Sequence, residues 1–72
     1  MGKTIDARGL SCPQPVLMTL DEISAMNKGD LVVLVDNEAA RENVIRAAAS
    51  QGWLMTSIQS EDDEYRITIS KE

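Results

Sequence analysis

The stretch Leu31-Val32-Val33-Leu34-Val35 decides the fold, because five consecutive apolar residues that include three valines are typical of a strand inside a sheet. The next two residues, Asp36 and Asn37, both belong to the residue types that cap helix N-termini. Glu38 then falls in the first helical turn, where the helix dipole favours a negative charge. The sequence therefore predicts a buried strand that leads directly into a helix.

The predicted second helix carries an apolar stripe and ends at a glycine. The stripe consists of Ala40, Val44, Ala47 and Ala48, and Gly52 is the expected stop. Two strands joined by an acidic turn follow. Residues 54–60 form the first strand, residues 61–64 the turn, and residues 65–70 a half-buried strand in which apolar and polar residues alternate.

Upstream of the central run, a short strand precedes the first helix. Residues 3–6 suit a strand, and Gly9 allows a turn. Pro13 is placed where a helix can begin, and the helix ends before the turn-forming residues 27–30. The apolar residues at helical spacing are Val16, Leu20 and Ile23.

The element order is therefore β-α-β-α-β-β. We predict an α/β two-layer sandwich, with a mixed four-stranded sheet and two helices on one face. The first two strands are expected to pair in parallel through a right-handed crossover, and the last two as an antiparallel hairpin. Because the central run is apolar on both faces, part of the opposite face is expected to be an uncovered apolar patch.

Composition limits the chain to one small domain, residues 1–72, and leaves open that this domain belongs to a longer protein. Trp53 and Tyr65 are the only aromatic residues, so an aliphatic core is expected. The formal net charge of −5 argues against direct binding to nucleic acid. No apolar run is long enough to span a membrane, and no apolar leader segment is visible, so we expect a cytoplasmic protein.

The single cysteine, Cys12, and the absence of histidine exclude several chemistries. One cysteine cannot form a disulfide within the chain. A zinc site built from cysteine and histidine, and a Cys-His nucleophile pair, are excluded as well. The sequence predicts no metal and no cofactor.

Cys12 is predicted to occupy the N-cap of the first helix, with Pro13 as the first helical residue and Pro15 within the first turn. The N–H of Gln14 is then the natural donor to the thiol, because the two prolines have none. A helix N-terminus stabilises a thiolate and lowers the pKa of the thiol. A lone cysteine is more often a small buried apolar residue, and the residues alone leave both interpretations open.

The residues Ile5-Asp6-Ala7-Arg8-Gly9-Leu10-Ser11-Cys12-Pro13-Gln14-Pro15-Val16 resemble the signature of the TusA/SirA-like sulfur-carrier family. The spacing Asp-x-x-Gly-x-x-Cys-Pro-x-Pro is specific, and the resemblance extends over essentially the whole chain. Residues 35–44 further resemble the N-terminal domain of the YedF sulfurtransferase-like selenium-metabolism family.

This resemblance implies that Cys12 accepts sulfane sulfur as a persulfide from a cysteine desulfurase or a rhodanese-like donor. The sulfur then passes to an acceptor protein such as a DsrE-like domain, in tRNA thiolation, cofactor synthesis, sulfur oxidation or selenium handling. Such a protein is a persulfide carrier rather than an independent enzyme. The supporting residues implied are Pro13, Gln14, Pro15, Gly9, Asp6 and Arg8.

The chain also departs from the family pattern. Many members carry a basic residue just before the cysteine or along the first helix, whereas here Ser11 precedes Cys12, and the next cation after Arg8 is Lys28. Two other functions compete with sulfur transfer. One is a regulatory or protein-interaction module of the same fold, and the other is a redox-sensing thiol. Persulfide formation by a desulfurase separates sulfur transfer from both.

Overall fold

Six elements follow the predicted order β-α-β-α-β-β in the computed structural model, which describes residues 3–10 and 13–72. The strands are β1 (Lys3–Asp6), β2 (Gly29–Val35), β3 (Leu54–Glu61) and β4 (Glu64–Lys71). The helices are α1 (Gln14–Met26) and α2 (Glu38–Ser50). The predicted β2 began two residues later, at Leu31, and the other strand ends agree within one residue.

The four strands form one mixed sheet in the order β1-β2-β4-β3. β1 and β2 pair in parallel and β3 and β4 form an antiparallel hairpin, which confirms both predicted pairings. The position of β4 between β2 and β3 was not predicted. It follows from burial, because Ile67 and Ile69 of β4 are completely buried whereas every residue of β3 is exposed.

Both helices cover one face of this sheet, as predicted for a two-layer sandwich. Each strand of the β1-β2-β4 unit alternates, so that one set of side chains is buried beneath the helices. That set is Ile5, Leu31, Val33, Val35, Ile67 and Ile69. The helices complete the core with Ile23, Ala40, Val44 and Ala48.

The opposite face of the sheet has no helix over it among the described residues, but it is less apolar than the sequence of β2 suggested. Val32 lies between Thr4 and Thr68 in the register of the sheet. Leu34 lies in the same way between Asp6 and Arg66. Both apolar side chains are therefore half-buried and have polar neighbours on the adjacent strands.

The apolar stripe of α1 differs from the prediction. The fully buried line is Pro15, Thr19 and Ile23, whereas Val16 and Leu20 are only half-buried. A threonine is tolerated on this line because its hydroxyl donates a hydrogen bond of 2.8 Å to the carbonyl of Pro15. Thr19 was missed because polarity in the sequence does not reveal that a hydroxyl is satisfied within its own helix.

The core is also not purely aliphatic, because Trp53 is only 1% exposed. Gly52, with a φ of +83°, turns the chain after α2. The N–H of Trp53 then donates to the carbonyl of Ala48 at 2.9 Å, which directs this residue back under the helix. The expectation of an aliphatic core was therefore wrong at the largest buried side chain.

Of the two candidate caps for α2, Asn37 is the one used. Its backbone is extended, and its Oδ1 accepts a hydrogen bond of 2.7 Å from the N–H of Ala40. This bond satisfies one of the N–H groups that a helix N-terminus leaves without a partner. Asp36 therefore does not cap α2, and its carboxylate has a different contact.

Replacing Asn37 with alanine should lower the free energy of unfolding by about 1 kcal/mol, because the cap is lost while the helix sequence is unchanged. Urea unfolding followed by circular dichroism measures this difference. Asn37→Asp is the matched control, because it keeps an oxygen acceptor at the same position and should retain most of the stability. Equal destabilisation by both substitutions would show that the hydrogen bond to Ala40 is not the source of the effect.

Candidate functional site

The loop that leads from β1 toward Cys12 is fixed by the sheet. We call residues 7–10 the approach loop. The N–H of Ala7 donates to the carbonyl of Leu34 at 2.8 Å and so extends the parallel pairing of β1 and β2 by one bond. Ala7 itself is completely buried. The approach loop therefore leaves the sheet from a fixed point, as Ala7 is tied to β2 and packed in the core.

Gly9 gives this loop its turn, as predicted. Its φ is +80°, a region that residues with a Cβ rarely adopt. A Cβ at this position would meet no atom within 4 Å, so the requirement for glycine comes from the backbone conformation and not from crowding. The N–H of Gly9 donates to Oδ2 of Asp36 at 2.6 Å.

Asp36 thus contacts the approach loop, although the sequence suggested only a helix cap. The signal was present in the adjacent pair Asp36-Asn37, because one helix needs one N-cap and the second polar residue was left without a role. Its partner could not be deduced from the sequence, since Gly9 lies 27 residues away.

Arg8 is held by two carboxylates. Its guanidinium donates two hydrogen bonds of 2.8 Å to Asp6, one to each carboxylate oxygen, and its backbone N–H donates to Oδ1 at 3.2 Å. A third bond from the guanidinium reaches Glu64 at 3.1 Å. Asp6 and Arg8 therefore fold the turn after β1 and tie it to the start of β4. Glu64 was not among the predicted site residues.

These contacts change the protonation of the pair. The hydrogen bonds from the side chain and then from the backbone of Arg8 lower the pKa of Asp6 to about 2. The same side-chain bonds to Asp6 and Glu64 raise the pKa of Arg8 above its ordinary value. All three side chains are solvent-exposed, so water and salt screen the attraction. The guanidinium of Arg8 nonetheless forms hydrogen bonds to the carboxylates of Asp6 and Glu64.

On the other side of Cys12, the first turn of α1 anchors the chain. The carbonyl of Pro13 accepts the first helical hydrogen bond, from the N–H of Leu17 at 3.0 Å. Pro13 has φ −100° and ψ 19°, so it stands at the N-cap and α1 begins at Gln14. The prediction that Pro13 is the first helical residue was wrong by one position, because the N-cap is the residue whose carbonyl accepts that first bond.

Of the predicted supporting residues in this turn, Pro13 and Gln14 are exposed and Pro15 is fully buried. Pro15 therefore anchors the start of α1 in the core, a role that its motif position alone did not indicate. Leu10 and Leu17 are apolar side chains on the two sides of this segment, and they are 37% and 49% exposed.

Pro13 takes the N-cap position that the sequence analysis gave to Cys12, so that prediction was wrong by one residue. Ser11 and Cys12 themselves lie outside the described residues, so the lowered pKa of the thiol stays a prediction. Both flanks of Cys12 are described, and both are fixed by the contacts above. In residues 3–10 and 13–72, no helix is long and apolar enough to cross a membrane. The same part of the chain contains no group of acidic side chains arranged to hold a metal ion.

Comparison with known proteins defines the class. The chain matches the family described as Sulfurtransferase TusA over residues 3–71. The crystal structure of the SirA-like protein from Desulfitobacterium hafniense superposes with a TM-score of 0.87 at 31% identity, over 94% of this chain and 95% of that one. The fold is therefore that of the SirA-like proteins.

Three relatives carry the name "Putative sulfur carrier protein". The relative from Methanocaldococcus jannaschii is 34% identical over 96% of this chain and 93% of its own length. The relative from Archaeoglobus fulgidus is 26% identical over 93% of each chain. The relative from Aquifex aeolicus is a longer protein. It is 31% identical over 96% of this chain, and the match covers 36% of its own length. The chain belongs to the TusA sulfurtransferase family.

The Asp6–Arg8 pair predicts a specific pH dependence. An aspartate in the unfolded chain has a pKa of about 3.9. Because the folded pKa of Asp6 is lowered to about 2, the stabilisation is complete above the unfolded value and is lost as the pH falls through about 2. Carboxyl-carbon NMR should show Asp6 titrating with a midpoint of about 2. Arg8→Gln should move this midpoint up toward the ordinary aspartate value.

Arg66→Gln is the matched control for this measurement. Arg66 faces the same open side of the sheet as Asp6, but the hydrogen bonds and charge that lower the pKa of Asp6 come from Arg8. The control should leave the Asp6 midpoint where it is in the wild type. If Arg66→Gln shifts that midpoint as much as Arg8→Gln, the pKa reflects the general charge of this face and not the bonded pair.

Proposed function

We propose that this protein is a sulfur carrier that accepts sulfane sulfur as a persulfide on Cys12 and passes it to an acceptor protein. The observation that carries the proposal is the family match over residues 3–71, which includes Cys12 within its Cys-Pro-x-Pro motif. The names of the relatives support the same role. Residues 1–72 act as one domain in this proposal, whether alone or within a longer protein.

The chemistry requires only the sulfur of Cys12. Its thiolate attacks the outer sulfur of a persulfide on the donor, so a new S–S bond forms at Cys12 while the donor's S–S bond breaks. The donor leaves as a thiolate, and no external oxidant or reductant is needed. The acceptor then attacks the outer sulfur on Cys12, and the Cys12 thiolate is released for another cycle.

The described flanks suit this exchange between two partners. The approach loop is fixed through Ala7 and Gly9, and the chain is fixed again through Pro13 and the buried Pro15. A thiol carried between two such anchors is presented in one place to donor and acceptor. Pro13 restricts its own φ and also favours extended backbone at Cys12, which limits this segment further.

The donor is a cysteine desulfurase or a rhodanese-like protein, and the acceptor is a second protein such as a DsrE-like domain. Neither partner docks on a basic face of α1, because α1 contains Asp21 and Glu22 and no lysine or arginine. Arg8 is already bound to Asp6 and Glu64. The exposed Leu10 and Leu17, which precede and follow Cys12 in the sequence, offer apolar contact to a partner instead.

Cys12→Ser should abolish sulfur loading while the fold survives, because serine keeps the size of the side chain and removes the persulfide chemistry. The assay is incubation with a cysteine desulfurase and cysteine, followed by intact-protein mass, in which a persulfide adds about 32 Da. The wild type should gain this mass and the variant should not. Wild-type protein that stays unmodified with desulfurase and rhodanese donors, although folded and reduced, would favour the regulatory-module function.

The two motif prolines should differ in their effects. Pro15→Ala should slow loading and also lower the free energy of unfolding by about 1 kcal/mol or more, because it removes buried apolar atoms next to the core. Pro13→Ala should slow loading with a smaller loss of stability, since Pro13 is exposed. Initial loading rates and urea unfolding of both variants test this. A Pro13→Ala variant that loads at the wild-type rate would show that stiffness of this segment is not needed.

A further inference from the structure

Asp36 has contacts that neither the helix cap nor the core explains. It directly follows the last residue of β2, and its carboxylate accepts a short hydrogen bond of 2.6 Å from the N–H of Gly9. Its other oxygen lies 3.4 Å from Nδ2 of Asn37, which is the residue that caps α2. Asp36 therefore joins the approach loop to the N-terminus of the second helix.

This link follows from the parallel pairing of β1 and β2. Asp6, the last residue of β1, is opposite Leu34, and Ala7 donates to the carbonyl of Leu34. Both strands therefore end at the same edge of the sheet, and the chain after each strand lies beside the other. The side chain of Asp36, two residues after Leu34, can then reach the backbone N–H of Gly9, two residues after Ala7.

The bond with Gly9 has the character of a fixed tether. An ionised carboxylate that accepts from a backbone N–H makes a charge-assisted hydrogen bond, which is shorter and stronger than a neutral one. Gly9 combines this hydrogen bond with the positive φ that turns the loop, so the turn and the contact with Asp36 occur at the same residue. Gly9 precedes Cys12 by three residues, so the tether acts close to the proposed sulfur site.

We propose that Asp36 is a positioning residue for sulfur transfer: by holding the N–H of Gly9, it sets where the approach loop presents Cys12 to a protein donor. The proposal rests on the sulfur-carrier function proposed above. Asp36 does not touch the sulfur in this proposal and acts only through Gly9. Loss of a charge-assisted hydrogen bond of this kind should slow loading by about tenfold.

The tether itself can be tested without any sulfur donor. The amide proton of Gly9 should resonate downfield in the wild type, because it donates to a carboxylate, and it should move upfield in Asp36→Ala. Its hydrogen exchange should also become faster. Asp30→Ala is the matched control, since it removes the same charge from an exposed position near the opposite end of β2 and should leave the Gly9 amide unchanged. A Gly9 amide that is insensitive to Asp36→Ala would overturn the proposal.

The effect on function is measured with a cysteine desulfurase and cysteine, by the rate at which each variant gains sulfur mass. The loading rate should be highest in the wild type, lower in Asp36→Asn and lowest in Asp36→Ala, because asparagine keeps an oxygen acceptor but loses the charge. Asp30→Ala should load at the wild-type rate. All measurements are made where urea unfolding shows every variant fully folded, so lower stability alone cannot reduce the rate.

A second readout separates positioning from a general change at the thiol. Alkylation by iodoacetamide needs no protein docking, so it should change far less in Asp36→Ala than loading by the desulfurase does. Equal loading of wild type and Asp36→Ala, with a displaced Gly9 resonance, would overturn the positioning role and leave the carrier function intact. Wild-type protein that never loads would instead refute the carrier function and with it the positioning role, whatever the Gly9 amide shows.

Discussion

The parallel pairing of β1 with β2 is the constraint on which the rest of the molecule depends. β2 is apolar on both faces, so it occupies the interior of the sheet. Parallel pairing with β1 requires a crossover between the two strands, and α1 provides it. The crossover brings the ends of both strands to one edge. For this reason the approach loop meets Asp36 and the N-terminus of α2 at that edge, although Gly9 lies 27 residues before Asp36 in the sequence.

Electrostatics at this edge are dominated by carboxylates. The chain carries a formal charge of −5, and the cation nearest to the cysteine motif in the sequence, Arg8, is bound by Asp6 and Glu64. Asp36 adds a further negative charge at the approach loop. These acidic groups bind backbone N–H groups and a guanidinium, and in this way they organise the approach loop. A partner that docks here meets backbone, apolar side chains and a net negative charge, because one arginine faces three carboxylates.

Local patterns in the sequence were sufficient for the element order, the parallel pair and the hairpin. The order of apolar and polar residues reveals which faces of a strand are buried. Residues 65–70 alternate because one face is buried, and the run in β2 is apolar throughout because this strand lies inside the sheet. The choice between Asp36 and Asn37 as cap could not be made, because both types are suitable and only the tertiary contact with Gly9 decides between them. Trp53 and Thr19 were misjudged for a similar reason, since their burial depends on hydrogen bonds to Ala48 and Pro15 that no periodicity reveals.

The spacing of the anchors limits how far the proposed sulfur site can move. Gly9 is tied to Asp36, and Pro13 is tied to α1, so only the residues between these two anchors can shift. A fully extended chain spans about 3.3–3.6 Å per residue, and four residue steps therefore reach at most roughly 14 Å. For the proposed carrier function, a span this short between the two anchors excludes a swing between distant active sites. In the proposed function, donor and acceptor therefore each bring their own sulfur chemistry to the same edge of the sheet and bind in turn rather than together.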